Sequence, residues 1–203
     1  MKKFFAFTLA ETLIVMGIIG IVSALTLPNL NSSTGEKEKV AKVKKIYQNL
    51  NDAVGRAIAV YGPLDEWKSN ETRLGDRITE FMKLSRNCGT TNTTCATDFL
   101  VSSYEGTTMY NVILADGTSV GFNQSIITVD IDGLNKGKNS LGHDRFVFQF
   151  NTDSVEPFEM EDLKELFKSS DMAYASGWVI QYENMDYLKC PDKLSVTGPY
   201  SCK

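Results

Sequence analysis

The sequence predicts an α+β fold in which a long N-terminal helix, with a membrane half and an amphipathic half, packs on a small antiparallel β-sheet. Three observations lead to this prediction. An apolar run that contains a single charge occupies residues 7–27. Apolar side chains then recur at helical spacing until Gly62-Pro63, a pair that ends helices. Farther along, two alternating apolar runs flank Asp116-Gly117, which is the pattern of a β-hairpin.

The apolar run at 7–27 has the length of a membrane span, because a helix rises about 1.5 Å per residue and the hydrocarbon core of a bilayer is roughly 30 Å thick. Its one charged residue is Glu11. A carboxylate is costly in hydrocarbon, and ionisable residues within membrane helices usually meet a partner. Glu11 is therefore a candidate functional residue.

Two common explanations of this N-terminus stay open on composition alone. The basic start at Lys2 and Lys3 followed by an apolar run is typical of a secretory signal, which would be cut near Ser23-Ala24-Leu25. It is equally typical of an uncleaved membrane anchor whose lysines stay in the cytoplasm. Neither explanation assigns a role to Glu11.

The order of residues around Glu11 is more informative than the hydropathy pattern that signals and anchors share. Ala6 precedes Phe7-Thr8-Leu9-Ala10-Glu11, and an Ile-, Val- and Gly-rich run containing Gly20 leads to Pro28. This segment resembles the class III signal of type IV pilins and type II secretion pseudopilins, except that Ala6 replaces the usual Gly and Ala10 a bulky aliphatic residue. The resemblance implies that a prepilin peptidase cuts between Ala6 and Phe7 and methylates the new amine.

The resemblance also implies how the subunit assembles. In the family's filaments the amine of the first mature residue, here Phe7, lies near the glutamate of a neighbouring subunit, here Glu11, so two buried charges compensate each other. Gly20 and Pro28 fall where the family places a helix-loosening Gly and Pro. The implied division is a leader at 1–6, a transmembrane and filament-core helix at 7–28, an amphipathic helix at 29–61 and a β-rich, pilin-like head at 62–203.

A non-enzymatic pilus or pseudopilus subunit is the function that the resemblance implies. Its partners would be other pilin-like subunits, the prepilin peptidase and an inner-membrane assembly platform. It would cross the inner membrane once before assembly and lie in a periplasmic or extracellular filament afterwards. A monomeric, membrane-anchored protein whose head binds a ligand outside the cytoplasm is the alternative.

The charge balance argues against a nucleic-acid partner. The formal net charge is −4, and removal of the leader with Lys2 and Lys3 makes the chain more acidic. Phosphate contacts need clustered Lys or Arg. The one basic cluster, at 37–45, contains Glu38 and follows Glu36, which is the pattern of a solvated helix face. A DNA-uptake pilin would need a basic patch that this head lacks in its sequence.

All four cysteines follow the apolar run, as Cys88, Cys95, Cys190 and Cys202. An even number at short spacing on the exported side favours two disulfides, Cys88 to Cys95 and Cys190 to Cys202. Each would stabilise the fold by about 2 to 3 kcal/mol through loop closure. A zinc site is the alternative, but the spacing is not that of metal ligands and His143 is the only histidine. The bridge at 190–202 also resembles the C-terminal disulfide of many pilins.

The apolar stripe after Pro28 predicts an amphipathic helix that packs on its own sheet. Its members are Val40, Val43, Tyr47, Leu50, Val54, Ile58 and Tyr61. A second short helix is predicted at 77–84 and another at 160–169. Runs rich in β-branched and aromatic residues predict strands within 109–122, at 126–131 and at 146–151, and an extended segment at 178–182.

Two motifs suggest chemistry. Gly117-Thr118-Ser119-Val120-Gly121 fits the G-x-S-x-G pattern of hydrolases, but it lies at the start of a predicted hairpin strand rather than on a strand-to-helix turn, so no catalytic serine is predicted. The second motif supplies carboxylate and amide oxygens in a Gly-rich loop after a strand, which are the ligands that Ca²⁺ prefers. Its candidate ligands are Asp130, Asp132, Asn135 and Asp144. A metal-free turn built by Asx side chains is the alternative, because the EF-hand spacing is absent and Lys136 and Lys138 oppose a cation.

Overall fold

The computed structural model describes residues 9–90, 95, 108–134, 136–158, 172, 175–195 and 197–203, with the backbone alone for residues 23–34. The fold is α+β, as predicted. Its helices are α1 (Leu9–Tyr61), α2 (Glu71–Thr79) and α3 (Ala175–Tyr182), with single 3-10 turns at Leu64–Glu66, Asp186–Leu188 and Pro191–Lys193. Its strands are β1 (Leu84–Gly89), β2 (Tyr110–Leu114), β3 (Ser119–Phe122), β4 (Ile126–Asp130), β5 (Arg145–Phe150) and β6 (Val155–Pro157). The chain divides into two compact units, Met1–Glu38 and Lys39–Lys203.

The sheet of the second unit is a six-stranded antiparallel meander in the order β1-β2-β3-β4-β5-β6. The predicted hairpin is confirmed, since β2 and β3 flank Asp116-Gly117. Gly117 has a φ of 90°, a left-handed conformation that glycine adopts without steric cost. The Asp116 carboxylate accepts a hydrogen bond from the Thr118 amide at 3.2 Å and closes the turn. The strands predicted at 126–131 and 146–151 are β4 and β5, each displaced by at most one residue.

The part of α1 that belongs to the second unit buries the predicted stripe. Val43, Leu50 and Val54 are wholly buried in the same core cluster as side chains of the sheet. The ring of Tyr47 stacks on that of Phe148, with centroids 5.7 Å apart. The helix ends at Tyr61, followed by Gly62 with a φ of 84°, as the Gly-Pro pair predicts. Ile46, Ala53 and Ala57 are also buried but were not part of the predicted stripe.

A polar contact fixes β6 against this helix. Asn51 donates a hydrogen bond from Nδ2 to the Val155 carbonyl and accepts one at Oδ1 from the Val155 amide, both at 3.0 Å. The same side chain thus satisfies both backbone groups of an edge-strand residue, which removes the cost of leaving them unpaired.

Two predicted elements are wrong. The helix predicted at 77–84 is α2, which begins at Glu71 because the Asn70 side chain caps it by accepting a hydrogen bond from the Arg73 amide at 2.8 Å. Leu84 lies in β1, where it pairs with Leu114. The segment predicted to be extended at 178–182 belongs to helix α3. Its Trp178 and Tyr182 rings lie one helical turn apart with centroids at 4.5 Å.

Strands β1 and β6 had no clear sequence signal. The ladder between β1 and β2 is interrupted twice by irregular register. Strand β6 has three residues and ends with Pro157. Neither strand therefore shows the regular alternation that identifies a strand in a sequence. The helix predicted at 160–169 lies outside the described residues.

Candidate functional site

The first turns of α1 carry an exposed apolar surface. Every large apolar side chain between Leu9 and Val22 is at least half exposed, with fractions from 50% at Val15 to 79% at Leu9. Its members are Leu9, Leu13, Ile14, Val15, Met16, Ile18, Ile19, Ile21 and Val22. Among the other described residues, only Val60 and Tyr200 are large hydrophobic residues with comparable exposure. We call this set the N-terminal apolar surface.

The residues predicted to act in processing and assembly lie on or beside this surface. Glu11 is exposed in the first turn of α1. A Cβ atom added to Gly20 would meet nothing within 4 Å, so the helix surface is open there. Pro28 falls within the bounds of α1. Ala6 and Phe7 lie outside the described residues. Within the part of the chain that is described, no helix reaches the length and hydropathy required for a membrane span.

Both predicted disulfides are present. Cys88 is joined to Cys95, with Cα atoms 6.0 Å apart, and Cys190 to Cys202, with Cα atoms 5.9 Å apart. The first bridge tethers residue 95 to strand β1. The second encloses the C-terminal segment, where the Cys202 amide also donates a hydrogen bond to the Asp186 carboxylate at 2.8 Å. Because all four sulfurs are in disulfides, the alternative of a zinc site does not apply to them.

The acidic loop between β4 and β5 brings together three of its four predicted ligands. Asp130 ends β4, Asp144 immediately precedes β5, and Asp132 lies between them on the loop. A Cβ atom on Gly137 would collide with carboxylate oxygens of both Asp132 and Asp144, so the backbone passes directly against these two side chains. Asn135 lies outside the described residues.

Two of these carboxylates have structural partners. Asp130 is fully buried; its Oδ1 accepts a hydrogen bond from the Gly133 amide and its Oδ2 one from Arg145 Nε, both at 3.0 Å. Arg145 stands directly opposite Asp130 in the β4-β5 register. Asp144 is also fully buried and accepts hydrogen bonds from three successive backbone amides, of residues 138, 139 and 140, at 2.5, 2.9 and 2.7 Å. These contacts are those of an Asx-built loop.

The third carboxylate, Asp132, is in a different electrostatic state. Partial burial, together with hydrogen bonding to Asp130 and the charges of Asp144 and Asp130, raises its pKa from 3.8 to about 6. Lys39 opposes this shift only in part. The Oδ1 atom of Asp132 is buried without a hydrogen-bond partner. A proton on this carboxyl lowers the electrostatic cost, because it removes one negative charge from the cluster and supplies a donor toward Asp130.

Two of the four candidate calcium ligands, Asp130 and Asp144, make the contacts expected of the metal-free turn. Ca²⁺ takes about 6 to 8 oxygen ligands, whereas the oxygens of Asp130 and Asp144 already accept hydrogen bonds and Arg145 holds a positive charge against Asp130. Among the described residues no group of three or more His, Cys, Asp or Glu side chains is arranged to hold a metal ion. The loop is instead anchored to its surroundings by Lys39, which donates to the His143 carbonyl at 3.0 Å, and Tyr187, which donates to the Gly142 carbonyl at 2.6 Å.

Ser119, the serine of the G-x-S-x-G motif, is fully buried on β3 rather than at an exposed turn. Its hydroxyl donates to the Cys95 carbonyl at 3.5 Å. The sequence prediction did not identify Arg145 as the partner of Asp130. Its position beside Asp144, at the start of a strand, could have indicated a basic residue close to the acidic loop. The sequence prediction also did not identify Arg77 on α2, whose guanidinium carbon lies over the rings of Tyr61 and Trp67.

Compared with protein-family models, with curated proteins and with solved structures, the chain matches none.

Proposed function

We propose that the protein is a structural subunit of a type IV pilus or of a type II secretion pseudopilus. It is made as a prepilin, cut between Ala6 and Phe7, methylated on the new amine and assembled through its N-terminal helix. In this proposal α1 is one long helix with a membrane half and an amphipathic half. The second unit is the exposed head, and the subunit acts without catalysis.

The observation that carries the proposal is the N-terminal apolar surface. Burying one Leu or Ile side chain contributes about 1.5 to 3 kcal/mol, so nine exposed large apolar side chains on a single stretch are strongly unfavourable in water. Lipid around an isolated subunit would cover this surface, and neighbouring helices would cover it in a filament. The buried core of the second unit begins at Val40 and includes none of this surface.

The processing motif adds chemical specificity to this support. An apolar surface alone is equally expected of a plain anchor, but an anchor does not require Phe7 after a small residue or a carboxylate at Glu11. In the proposed filament, Glu11 of one subunit lies near the methylated amine of a neighbouring Phe7. Before assembly the protein would span the inner membrane once; afterwards it would lie in a periplasmic or extracellular filament with other pilin-like subunits.

The proposal is tested by the mass of the mature chain and by a substitution at Glu11. Mass spectrometry of the purified protein is expected to show loss of residues 1–6 and one methyl group on Phe7. An intact Met1 would instead support the membrane-anchored ligand-binding alternative. Glu11→Gln and Glu11→Ala are expected to leave membrane insertion intact and to lower the yield of sheared filaments, because the charge that meets the neighbour's amine is gone.

The control for this experiment is Glu66→Gln, which removes an exposed carboxylate from a 3-10 turn of the second unit. Its filament yield is expected to equal that of the wild-type protein. Wild-type filament yield from Glu11→Ala, at equal amounts of inserted protein, contradicts the proposed role of Glu11.

A further inference from the structure

An open cavity of about 410 Å³ lies between the end of α1 and the helix α2. Its volume is within the range of about 300 to 1,000 Å³ that is usual for small-ligand sites. The side chains of Tyr61, Asn70 and Thr72 form part of its lining, and Arg73 and Arg77 contribute two positive charges. These two arginines are four residues apart on α2, so they lie on the same face of the helix.

Arg77 is held in place by two aromatic rings. Its guanidinium carbon lies 4.5 Å from the centroid of the Tyr61 ring and 5.4 Å from that of Trp67. The indole of Trp67 is itself fixed, since it is fully buried and donates a hydrogen bond to the Gly62 carbonyl at 2.9 Å. Stacking uses the faces of a guanidinium, whereas its N–H donors lie in the plane and stay available for an acceptor.

The two carboxylates that line the same cavity, Asp76 and Glu80, are engaged by tyrosines. Asp76 accepts a hydrogen bond from the Tyr110 hydroxyl at 2.5 Å, and Glu80 accepts one from the Tyr61 hydroxyl. The hydrogen bond to Glu80 is also the main cause that raises the pKa of Tyr61. Among the described residues, no ion pair within 4.0 Å includes Arg73 or Arg77. The two lining carboxylates thus already accept hydrogen bonds from tyrosines. The guanidinium groups of Arg73 and Arg77 have no carboxylate partner in the described fold.

We propose that this cavity binds a carboxylate, held jointly by the guanidinium groups of Arg73 and Arg77. A planar fork of N–H donors matches a carboxylate in a two-point hydrogen bond. The carboxylate belongs either to a free organic acid or to an acidic side chain of another polypeptide. The site does not depend on the proposed filament role.

Calorimetric titration of the full chain in detergent micelles tests the proposal, at constant ionic strength set with NaCl. The probes are glutarate, the peptide acetyl-Ala-Glu-Ala-amide and its neutral counterpart acetyl-Ala-Gln-Ala-amide. Saturable binding of glutarate or of the Glu peptide, at least tenfold tighter than that of the Gln peptide, is expected. Tighter binding of glutarate than of the Glu peptide indicates a free organic acid, and tighter binding of the Glu peptide indicates a polypeptide. Absence of saturation by either acid up to about 10 mM overturns the proposal.

Substitutions locate the site. Arg73→Gln and Arg77→Gln are each expected to weaken binding at least tenfold, since each removes charge-assisted hydrogen bonds. Arg77→Lys keeps the charge but not the planar fork, so it is expected to weaken binding as well. Arg73 is exposed, so its variant keeps the test valid even if Arg77→Gln fails to fold.

Arg56→Gln is the matched control. Arg56 also lies on a helix over an aromatic ring, 5.0 Å from the centroid of Phe81, but it forms an ion pair with Asp52 at 3.6 Å and does not line this cavity. Its variant is expected to bind glutarate like the wild-type protein. An equal loss of affinity in Arg56→Gln would show that general charge rather than this cavity attracts the anion, and would overturn the proposal.

Discussion

The raised pKa of Asp132 makes a prediction about stability and pH. A carboxyl whose pKa is higher in the folded than in the unfolded chain binds its proton more tightly when folded. Its ionisation therefore costs the folded state free energy as the pH rises from about 4 to about 6. The protonated Asp132 carboxyl therefore favours the folded state below this pH window, and that contribution to the unfolding free energy is lost above it. Substitution of Asp132 by Asn, which is always neutral and keeps a donor toward Asp130, removes this cost.

The magnitude follows from the shift. A difference of about two pKa units corresponds to roughly 3 kcal/mol if nothing screens the charges. Asp132 is only partly buried, so solvent screening lowers the expected cost to about 1 kcal/mol. Asp132→Asn is therefore expected to exceed the wild-type unfolding free energy by about 1 kcal/mol at pH 7.5 and to match it near pH 4.

Urea unfolding at pH 4, 5, 6 and 7.5 measures this difference, with the fluorescence of the buried Trp67 and Trp178 as the signal. Asp153→Asn is the control, because Asp153 is exposed between β5 and β6 and lies outside the acidic loop. A variant that is less stable than wild type at pH 7.5, or a difference that does not change with pH, would refute the reasoning.

Two further predictions concern packing and the acidic loop. Gly75→Ala is expected to destabilise the fold by about 1 to 3 kcal/mol in urea unfolding, because its Cβ would collide with the ring of the buried Tyr110. The control is Gly55→Ala on α1, whose Cβ would meet nothing within 4 Å; it is expected to be neutral or to stabilise the fold by up to about 1 kcal/mol. Equal effects of the two substitutions would contradict this packing. The melting temperature in excess Ca²⁺ is expected to equal that in EDTA, because Asp130 and Asp144 already have hydrogen-bond partners. A higher melting temperature in Ca²⁺ would show a calcium site that these contacts do not predict.

Local patterns predicted those parts of the fold whose cause is local. The turn at Asp116-Gly117 needs a left-handed residue and a short side-chain acceptor, and both are visible in two letters of the sequence. The helical stripe from Val40 to Tyr61 has a period that no strand can satisfy. Short apolar runs are ambiguous, which is why the segment around Trp178 was predicted to be extended although it forms a helix.

The same distinction applies to the candidate sites. The acidic residues of the loop were recognisable from their spacing, but their partners were not, because Arg145 reaches Asp130 through strand register and Lys39 reaches the loop from the distant helix α1. Only these contacts distinguish a carboxylate that organises a turn from one that would bind a cation. The cavity at Arg73 and Arg77 depends on rings contributed by Tyr61 and Trp67, and their approach is a result of packing.

The sequence by itself determined the α+β class, the two disulfides, the central hairpin and strands, and the apolar N-terminal segment with Glu11. These features follow from periodicity, turn chemistry and residue spacing, which act over a few neighbours along the chain. The tertiary structure alone decided which carboxylates are paired, which one has a raised pKa, and where guanidinium groups lack a carboxylate partner in the described fold. Those properties depend on distance and burial between residues far apart in the chain, and a linear pattern does not contain them.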